Sequence, residues 1–327
     1  MDKRIIESKY GPQSSGDNTF TAKARLLQSI YRVQSGETSM GIGPNKNSVD
    51  RSTHKPSYYG NMLADGEHTG KNFIFPETFK YAHERTDERK AGETIDKYRL
   101  FNNLLSSMPM AFNLFHPLMM IKEKYPDLLN CMIQDLFPEL PVYKVDEIKL
   151  EYIPKPIKNY TYDKSAMDAA ILFSDQLNNK YIIAIETKYT DSLGINEAKE
   201  NELKILAATE SGLFTNEGLE HINKGCSQIY RNFLLTEKYR LVHRLKDSFS
   251  IIMAPKDHPS TDREIKSLLK FLKPGNQYKL NKYSLEDFVS ALGNNCPEEF
   301  QSWVKWFFDR YLDFDKVDSI MKELKLS

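Results

Sequence analysis

The chain has 327 residues, enough to bury one large hydrophobic core or two smaller ones, and 40% hydrophobic with 28% charged residues is typical of a globular protein. Its 45 basic residues balance its 45 acidic ones, which excludes a protein that binds nucleic acid through overall positive charge; any basic surface must be local. The three cysteines lie far apart in the sequence and suggest neither a disulfide framework nor a zinc knuckle.

The chain shows no segment that resembles a membrane anchor or a secretory signal. The N-terminal sequence MDKRIIESKYG carries charges where a signal peptide needs an apolar core. The most apolar run, residues 108–121, is interrupted by prolines and polar residues and is too short to span a bilayer. The sequence therefore predicts a cytoplasmic protein with no membrane partner.

Four segments are predicted along the chain. Residues 1–72 contain a helix over residues 21–33, then a stretch rich in Gly, Ser and Asn from 34 to 71 that predicts a long loop or a poorly ordered insertion. Residues 73–140 are a helical segment that leads into the core. The core itself is predicted over residues 141–256, and residues 257–327 form a C-terminal helical segment packed on it.

A sheet of about four strands, flanked by helices, is predicted within the core. Its strands are residues 142–152, two apolar runs on either side of a polar turn at 175–179, and residues 249–254. The short turn predicts an antiparallel hairpin. The following strand–helix–strand connection, with one helix from about residue 217 to 239, predicts a parallel last pair. These elements indicate a mixed α/β fold.

Two carboxylates and an ammonium group interrupt the apolar hairpin, at Asp168, Glu186 and Lys188. With the turn at residues 175–179, the register sets Asp168 directly across from Glu186. Lys188 is two residues beyond Glu186, so it points to the same face of the sheet. Burying such charges costs several kcal/mol unless a partner charge or a metal ion compensates it.

The pair of carboxylates suits a divalent cation. Two carboxylates and a backbone carbonyl match the ligands of Mg²⁺, with Mn²⁺ as a substitute, and Ala166, Ala170 and Ala184 are expected to leave room for a phosphodiester. The cation would polarise the phosphate and lower the pKa of a bound water, which Lys188 would help to orient. An isolated Glu-x-Lys is a weak signal, and the alternative is a solvated edge hairpin with a surface ion pair.

Asp168, followed after a hydrophobic strand by Glu186-Thr187-Lys188, resembles the PD-(D/E)XK nuclease superfamily, although Met167 stands where the superfamily's name places Pro. The resemblance implies a restriction-endonuclease-like core, metal-dependent endonuclease activity and a backbone carbonyl of Thr187 as a metal ligand. The stretches NFIFPETF, LLSSMPMAFNLFHPL and IETKYTD are also similar to an uncharacterised bacterial group of that superfamily, which includes a restriction-endonuclease-like protein of Porphyromonas. This similarity runs from about residue 72 onward.

The resemblance also implies further site residues. Superfamily members often add a third acidic residue from an element before the Asp strand, for which Glu151 is the candidate, with Glu123 as a rival and an exposed strand carboxylate as the alternative. Members also carry a polar residue, often Gln, on the helix after the Lys strand. Gln228 and Arg231, three residues apart on one helix face, are candidates for positioning water or phosphate, with a solvated face as the alternative.

Basic residues concentrate over residues 238–246, where Arg240 and Arg244 are predicted to contact a phosphate backbone, unless they belong to a solvated face. The superfamily implies nucleic acid as the partner, DNA rather than RNA, and a homodimer is a further expectation. The alternative function is a non-catalytic nucleic-acid-binding or assembly protein that retains the nuclease fold. An acid–base pair of Asp168 and Glu186 in a carbohydrate or nucleotide enzyme fits poorly because the two are predicted to lie so close together.

Overall fold

Apolar runs rich in Ile, Leu, Phe and Ala form the central strands, as their composition predicts. The structure is a computed structural model and describes residues 3–88, 95–162, 164–193 and 202–326. Its strands are β1 Met40–Ile42, β2 Tyr58–Leu63, β3 Lys144–Tyr152, β4 Met167–Ser174, β5 Lys180–Thr187, β6 Asp247–Ala254 and β7 Leu280–Ser284.

Proline and capping residues mark the starts of several helices. Pro76 and Pro126 lie in the first turns of their helices, and the Ser284 hydroxyl accepts a hydrogen bond from the Asp287 amide. The helices are α1 Lys3–Tyr10, α2 Thr19–Gln34, α3 Gly66–Thr69, α4 Pro76–Asp87, α5 Lys97–Asn102, α6 Ser107–Lys124, α7 Pro126–Leu136, α8 Glu202–Ser211, α9 Asn216–Lys224, α10 Gln228–His243, α11 Thr261–Leu269, α12 Leu285–Asn295, α13 Gln301–Tyr311 and α14 Phe314–Leu326. Among the described residues, none of these helices has the length and apolar character needed to cross a bilayer.

The described residues divide into two compact units. One comprises residues 3–88, 95–114 and 299–326, and the other comprises residues 115–162, 164–193 and 202–298. The division into four segments that the sequence suggests stays a prediction.

Residues 34–71, predicted as a long loop, contain β1, β2 and α3 in the first unit. The two strands pair antiparallel, with Met40 opposite Leu63. A Cβ atom at Gly41 would overlap the Leu63 carbonyl oxygen, so this pairing requires the glycine. Because the strands are short and rich in glycine, their sequence lacks the alternation by which a strand is recognised.

A five-stranded mixed sheet in the order β3-β4-β5-β6-β7 forms the centre of the second unit. The first three strands are antiparallel, and β6 runs parallel to both β5 and β7. Ser174 pairs with Lys180 and Ala169 with Ile185, which confirms the register predicted from the turn. The mixed α/β fold with a helix-flanked sheet is also confirmed. Strand β7 adds a fifth strand, which its five residues, LNKYS, did not reveal because they show no apolar alternation.

The single helix predicted from about residue 217 to 239 is two helices in the structure, α9 and α10. Helix α9 ends at Lys224 with Gly225 as its C-cap, and Ser227 is the N-cap of α10. Gly is a poor helix former and Ser favours the N-cap, so the sequence at this point favours a break. The break places Gln228 in the first turn of α10.

Helix α10 packs on the sheet face that carries the small residues of β4 and β5. Ala170 and Ala184 are buried and share a hydrophobic cluster with Leu235 and Tyr239 of α10. The prediction that these two alanines leave open space for a substrate is therefore wrong. Their small side chains allow the helix to lie close to the sheet. Ala166, which precedes β4, is partly buried.

Candidate active site

The candidate site lies where the start of β4 meets the end of β5. Asp168 is the second residue of β4, and Glu186 and Thr187 are the last two residues of β5. Lys188 follows directly, and its backbone N–H donates to the Met253 carbonyl of β6 at 2.8 Å. The antiparallel register of β4 and β5 continues to Asp168 and Glu186, so the two acids stand opposite each other.

Side-chain contacts confirm that the lysine shares a face with the glutamate. Lys188 Nζ lies 2.6 Å from Glu186 Oε1. Asp168 Oδ2 accepts hydrogen bonds from the backbone N–H of Thr187 at 2.7 Å and from the Thr187 hydroxyl at 2.8 Å. The amide and hydroxyl of Thr187 therefore hold the Asp168 carboxylate at the end of β5.

Two amides of α10 complete the hydrogen bonding of Glu186. Gln228 Nε2 donates to Glu186 Oε1 at 2.8 Å, and Gln228 Oε1 accepts from Lys188 Nζ at 3.1 Å. Asn232 Nδ2 donates to Glu186 Oε2. The sequence pointed to Gln228 but missed Asn232, although residues four apart on a helix share a face. The structure therefore brings Asp168, Glu186, Thr187, Lys188 and Gln228 together.

Burial makes the charges at this site interact strongly. Glu186 and Lys188 are only 4% and 5% exposed. Burial and the nearby Asp168 carboxylate raise the pKa of Glu186 to about 7, against the opposing effect of Lys188. Burial also raises the pKa of Asp168. For Lys188, burial lowers the pKa, but the carboxylates of Glu186 and Asp168 outweigh this effect, so the pKa of Lys188 is raised. The site thus holds two acids whose ionisation is disfavoured and a lysine whose protonated form is favoured.

The two carboxylates keep some capacity to accept further ligands. Each carboxylate oxygen has two lone pairs. Glu186 Oε1 accepts two hydrogen bonds and Oε2 accepts one, while Asp168 Oδ1 accepts none from the described residues. Within the described ranges, no three His, Cys, Asp or Glu side chains are grouped to hold a metal ion. A cation here would depend on two carboxylates together with backbone and water oxygens.

Glu151 stands across β4 from Asp168. The pairs Leu150–Ala169 and Tyr152–Met167 flank it, so the register sets Glu151 opposite Asp168 on the neighbouring strand. Its side chain is buried, and its backbone has a φ of 47°, a left-handed conformation that is uncommon outside Gly. Its role as a third acid stays a prediction. Its rival Glu123 is exposed near the end of α6.

The structure does not bring the predicted arginines to the acids. Arg231 Nη1 donates to the Cys226 carbonyl at 3.3 Å, and Arg240 Nε donates to the buried Glu237 at 2.9 Å. Arg244 is exposed and caps α10 in a left-handed conformation. At 1.5 Å per residue, Arg240 and Arg244 lie about 18 and 24 Å along α10 from Gln228. Their contact with a more distant part of a phosphate backbone stays a prediction.

Two further residues, which the sequence did not single out, border the site. Burial is the largest effect on the pKa of Asp168 and raises it, whereas Lys188 and Thr187 lower it. The charge of Asp191 has a smaller effect and raises this pKa further. His258 Nε2 donates to the Asp191 carbonyl at 3.1 Å, and burial lowers the pKa of His258. Asp191 ends the stretch IETKYTD, whereas His258 is distant in sequence and has no local signal.

In metal-free buffer, the stability that Glu186 contributes should fall as pH rises from about 4.5 to about 7. Its folded pKa of about 7 lies above the ordinary value of 4.5, so in this window the folded chain keeps a proton that the unfolded chain has lost. Urea unfolding at several pH values across this window measures the effect. Glu186→Gln cannot ionise and should flatten the profile; an equally steep profile in that variant would contradict the assignment.

A family model described as Restriction Endonuclease associating with ARP matches residues 25–312 of the chain. The match covers most of the sequence and includes every residue of the site described above. Comparisons with curated proteins and with solved structures give no match.

Proposed function

Because the chain belongs to the family of restriction endonucleases associating with ARP, we propose that it is a Mg²⁺-dependent nuclease that hydrolyses phosphodiester bonds. Asp168, Glu186 and Lys188 form the proposed catalytic group, in the arrangement of the PD-(D/E)XK superfamily. DNA is the proposed substrate, and Mn²⁺ is a proposed substitute for Mg²⁺. Membership of the Porphyromonas group and a homodimeric state stay predictions.

One observation carries the proposal: the Lys188 ammonium lies 2.6 Å from Glu186, on the strand pair where Asp168 stands opposite Glu186. Glu186 and Lys188 are almost completely buried, unlike the exposed ion pair of a solvated edge hairpin. Two neighbouring acids in an apolar sheet repel each other, and this repulsion contributes to the raised pKa of Glu186. The fold tolerates this cost at the candidate site, which is typical of a functional site.

The donor set fits Mg²⁺. Asp168 Oδ1 and one lone pair of Glu186 Oε2 remain for a cation, and the Thr187 carbonyl is the proposed third protein ligand. A dication would also relieve the repulsion that raises the pKa of Glu186. When bound, it would supply Lewis-acid activation of the phosphate and of a water molecule.

The chain's own residues would position the reactants. Lys188, held by Glu186 and by Gln228, would donate to the attacking water or to a phosphate oxygen as negative charge develops there. Water would form the new bond to phosphorus, the bond to the leaving sugar oxygen would break, and that oxygen would take up a proton. Gln228 and Asn232 would keep Glu186 in place from the helix side.

The non-catalytic alternative is not favoured. Asp168, Glu186 and Lys188 are all present, and the lysine and the glutamate are in direct contact. A protein that only binds nucleic acid does not need two neighbouring acids whose ionisation is disfavoured, such as Asp168 and Glu186.

A cleavage assay tests the proposal. Single-stranded and duplex oligonucleotides of DNA and RNA, and a supercoiled plasmid, are incubated with the protein in Mg²⁺, in Mn²⁺ or in EDTA. We expect cleavage of DNA with either metal and none in EDTA. Failure to cleave any of these substrates with either metal would contradict the nuclease function, and cleavage of RNA alone would contradict the choice of DNA.

Gln228→Ala should lower the rate of cleavage about 10- to 100-fold. The variant removes the amide that contacts both Glu186 and Lys188, so the lysine loses one of the two groups that hold it. Single-turnover rates at saturating Mg²⁺ measure the effect. Asn223→Ala, an exposed amide on α9, is the control and should cleave as the unmodified protein does; similar losses in both variants would count against a specific role of Gln228.

A further inference from the structure

The connection between β3 and β4, residues 153–166, leaves and re-enters the sheet at the candidate site. Glu151 lies two residues before it, and Asp168 lies two residues after it. Lys164 is four residues from Asp168, so the two Cα atoms lie within about 14 Å of each other. Lys164 is therefore close enough to contact a substrate bound at the acids, whereas the residues before it are within reach only of nucleotides further along a bound strand.

Among the described residues of this connection, four of the six exposed side chains are basic or aromatic, and we call it the lysine–tyrosine loop. Lys155, Lys158 and Lys164 are exposed, and Tyr162 is 59% exposed. Its sequence contains one acidic residue, Asp163, so its formal charge is positive. Proteins that bind single strands combine basic side chains along the backbone with aromatic rings on which bases stack.

The lysine–tyrosine loop is anchored so that the Tyr162 ring is presented to solvent. Tyr160 is buried, its hydroxyl lies 2.9 Å from His243 Nε2, and its ring stacks on Tyr239 with the centroids 6.0 Å apart. Two residues later, Tyr162 adopts a φ of 50°, which is unusual for a bulky residue. A left-handed residue therefore lies just before the connection, at Glu151 with a φ of 47°, and another lies within it, at Tyr162; such strain concentrates at functional sites.

We propose that the lysine–tyrosine loop binds an unpaired nucleic-acid strand that extends away from the scissile phosphate, with Tyr162 stacking on a base several nucleotides from the point of cleavage and Lys158 and Lys164 contacting phosphates. This inference rests on the proposed nuclease function and adds the substrate class. An aromatic ring can stack on a base only where one face of that base is uncovered. Single strands, strand ends and flaps meet this condition, and a continuous duplex does not.

Binding of labelled oligonucleotides, followed by fluorescence anisotropy in EDTA, tests the stacking contact. The probes are one 20-nucleotide sequence as single-stranded DNA, as single-stranded RNA and as a DNA duplex. Tyr162→Ala should raise the Kd for the single strands about 10-fold, whereas Tyr162→Phe, which keeps the ring, should bind normally. Tyr143→Ala is the matched control, because Tyr143 is 55% exposed and precedes β3 at the opposite end of the strand.

The salt dependence of binding tests the two lysines. Lys158→Gln and Lys164→Gln should each reduce the slope of log K against log salt by about 0.7, the value for one phosphate contact on a single strand. Lys144→Gln, an exposed lysine at the far end of β3, should leave the slope unchanged. A merely structural role of the loop lysines would not alter this slope.

Several results would overturn the inference: no binding of single strands, unchanged binding in Tyr162→Ala, an equal loss in Tyr143→Ala, or duplex binding as tight as single-strand binding. The DNA and RNA arms show which backbone the loop accepts. Failure of the nuclease function would look different, because the unmodified protein would bind the probes through Tyr162 but not cleave them with Mg²⁺. An active enzyme whose KM for single strands is unchanged in Tyr162→Ala would refute the loop inference alone.

Discussion

Lys188→Met should lower the rate of nucleic-acid cleavage at least about 100-fold. Loss of one group that stabilises developing charge in a buried site typically costs this much or more. Methionine keeps the apolar stem and the approximate volume but removes the ammonium that contacts Glu186 and Gln228. Initial rates on a labelled oligonucleotide at saturating Mg²⁺ measure the effect.

Lys180→Met is the matched control for this variant. Lys180 lies at the opposite end of β5 and pairs with Asp146 at 2.9 Å in an exposed ion pair, so its loss should change the rate less than about twofold. Lys188→Met also leaves Glu186 without its cation and should unfold at a lower temperature. Rates are therefore compared well below that temperature, with circular dichroism to confirm folding. A folded Lys188→Met variant that cleaves at a near-normal rate would contradict the catalytic role of the lysine.

Asp168→Asn should abolish Mg²⁺-dependent cleavage without destabilising the metal-free protein. Asparagine keeps an oxygen that can accept the hydrogen bonds from the Thr187 amide and hydroxyl. It removes a charge whose ionisation is disfavoured by burial, as the raised pKa of Asp168 shows. In EDTA at neutral pH we therefore expect a Tm that is unchanged or higher, by about 2–4 °C for each kcal/mol of relieved charge burial. Activity assays and thermal unfolding with and without Mg²⁺ measure both effects.

Mg²⁺ should raise the Tm of the unmodified protein and leave that of Asp168→Asn unchanged, because only the former can bind the ion through both acids. Asp146→Asn, at the other end of the sheet, is the control and should keep both activity and the response to Mg²⁺. If Asp168→Asn retained cleavage, or lost several degrees of Tm in EDTA, Asp168 would be a structural residue rather than a metal ligand.

The hairpin and its acids could be predicted from the sequence because their geometry is local. The polar turn between two apolar runs fixes the register, and Asp175 secures it by accepting hydrogen bonds from the backbone amides of Leu177 and Asn179. Once the register is known, the positions of Asp168 and Glu186 follow from counting residues. The contact between Lys188 and Glu186 follows from strand alternation in the same way.

The parts of the site contributed from a distance could not be predicted in the same way. Asn232 and His258 reach the site only because α10 and the segment after β6 dock on the sheet, and these contacts join residues more than 40 positions apart. The close approach of α10 depends on the small side chains of Ala170 and Ala184, which the sequence alone suggested as open space. Short strands such as β1 and β7 carry too few residues to show a period.

Diffraction at the manganese absorption edge, from crystals soaked in Mn²⁺, shows whether Asp168 and Glu186 bind a metal ion together. We expect one anomalous peak bound by the carboxylates of Asp168 and Glu186 and by the Thr187 carbonyl, with Lys188 beside it. A site that stays free of metal at saturating Mn²⁺, or an ion bound elsewhere while the two carboxylates turn to opposite faces of the sheet, would contradict the proposed metal site.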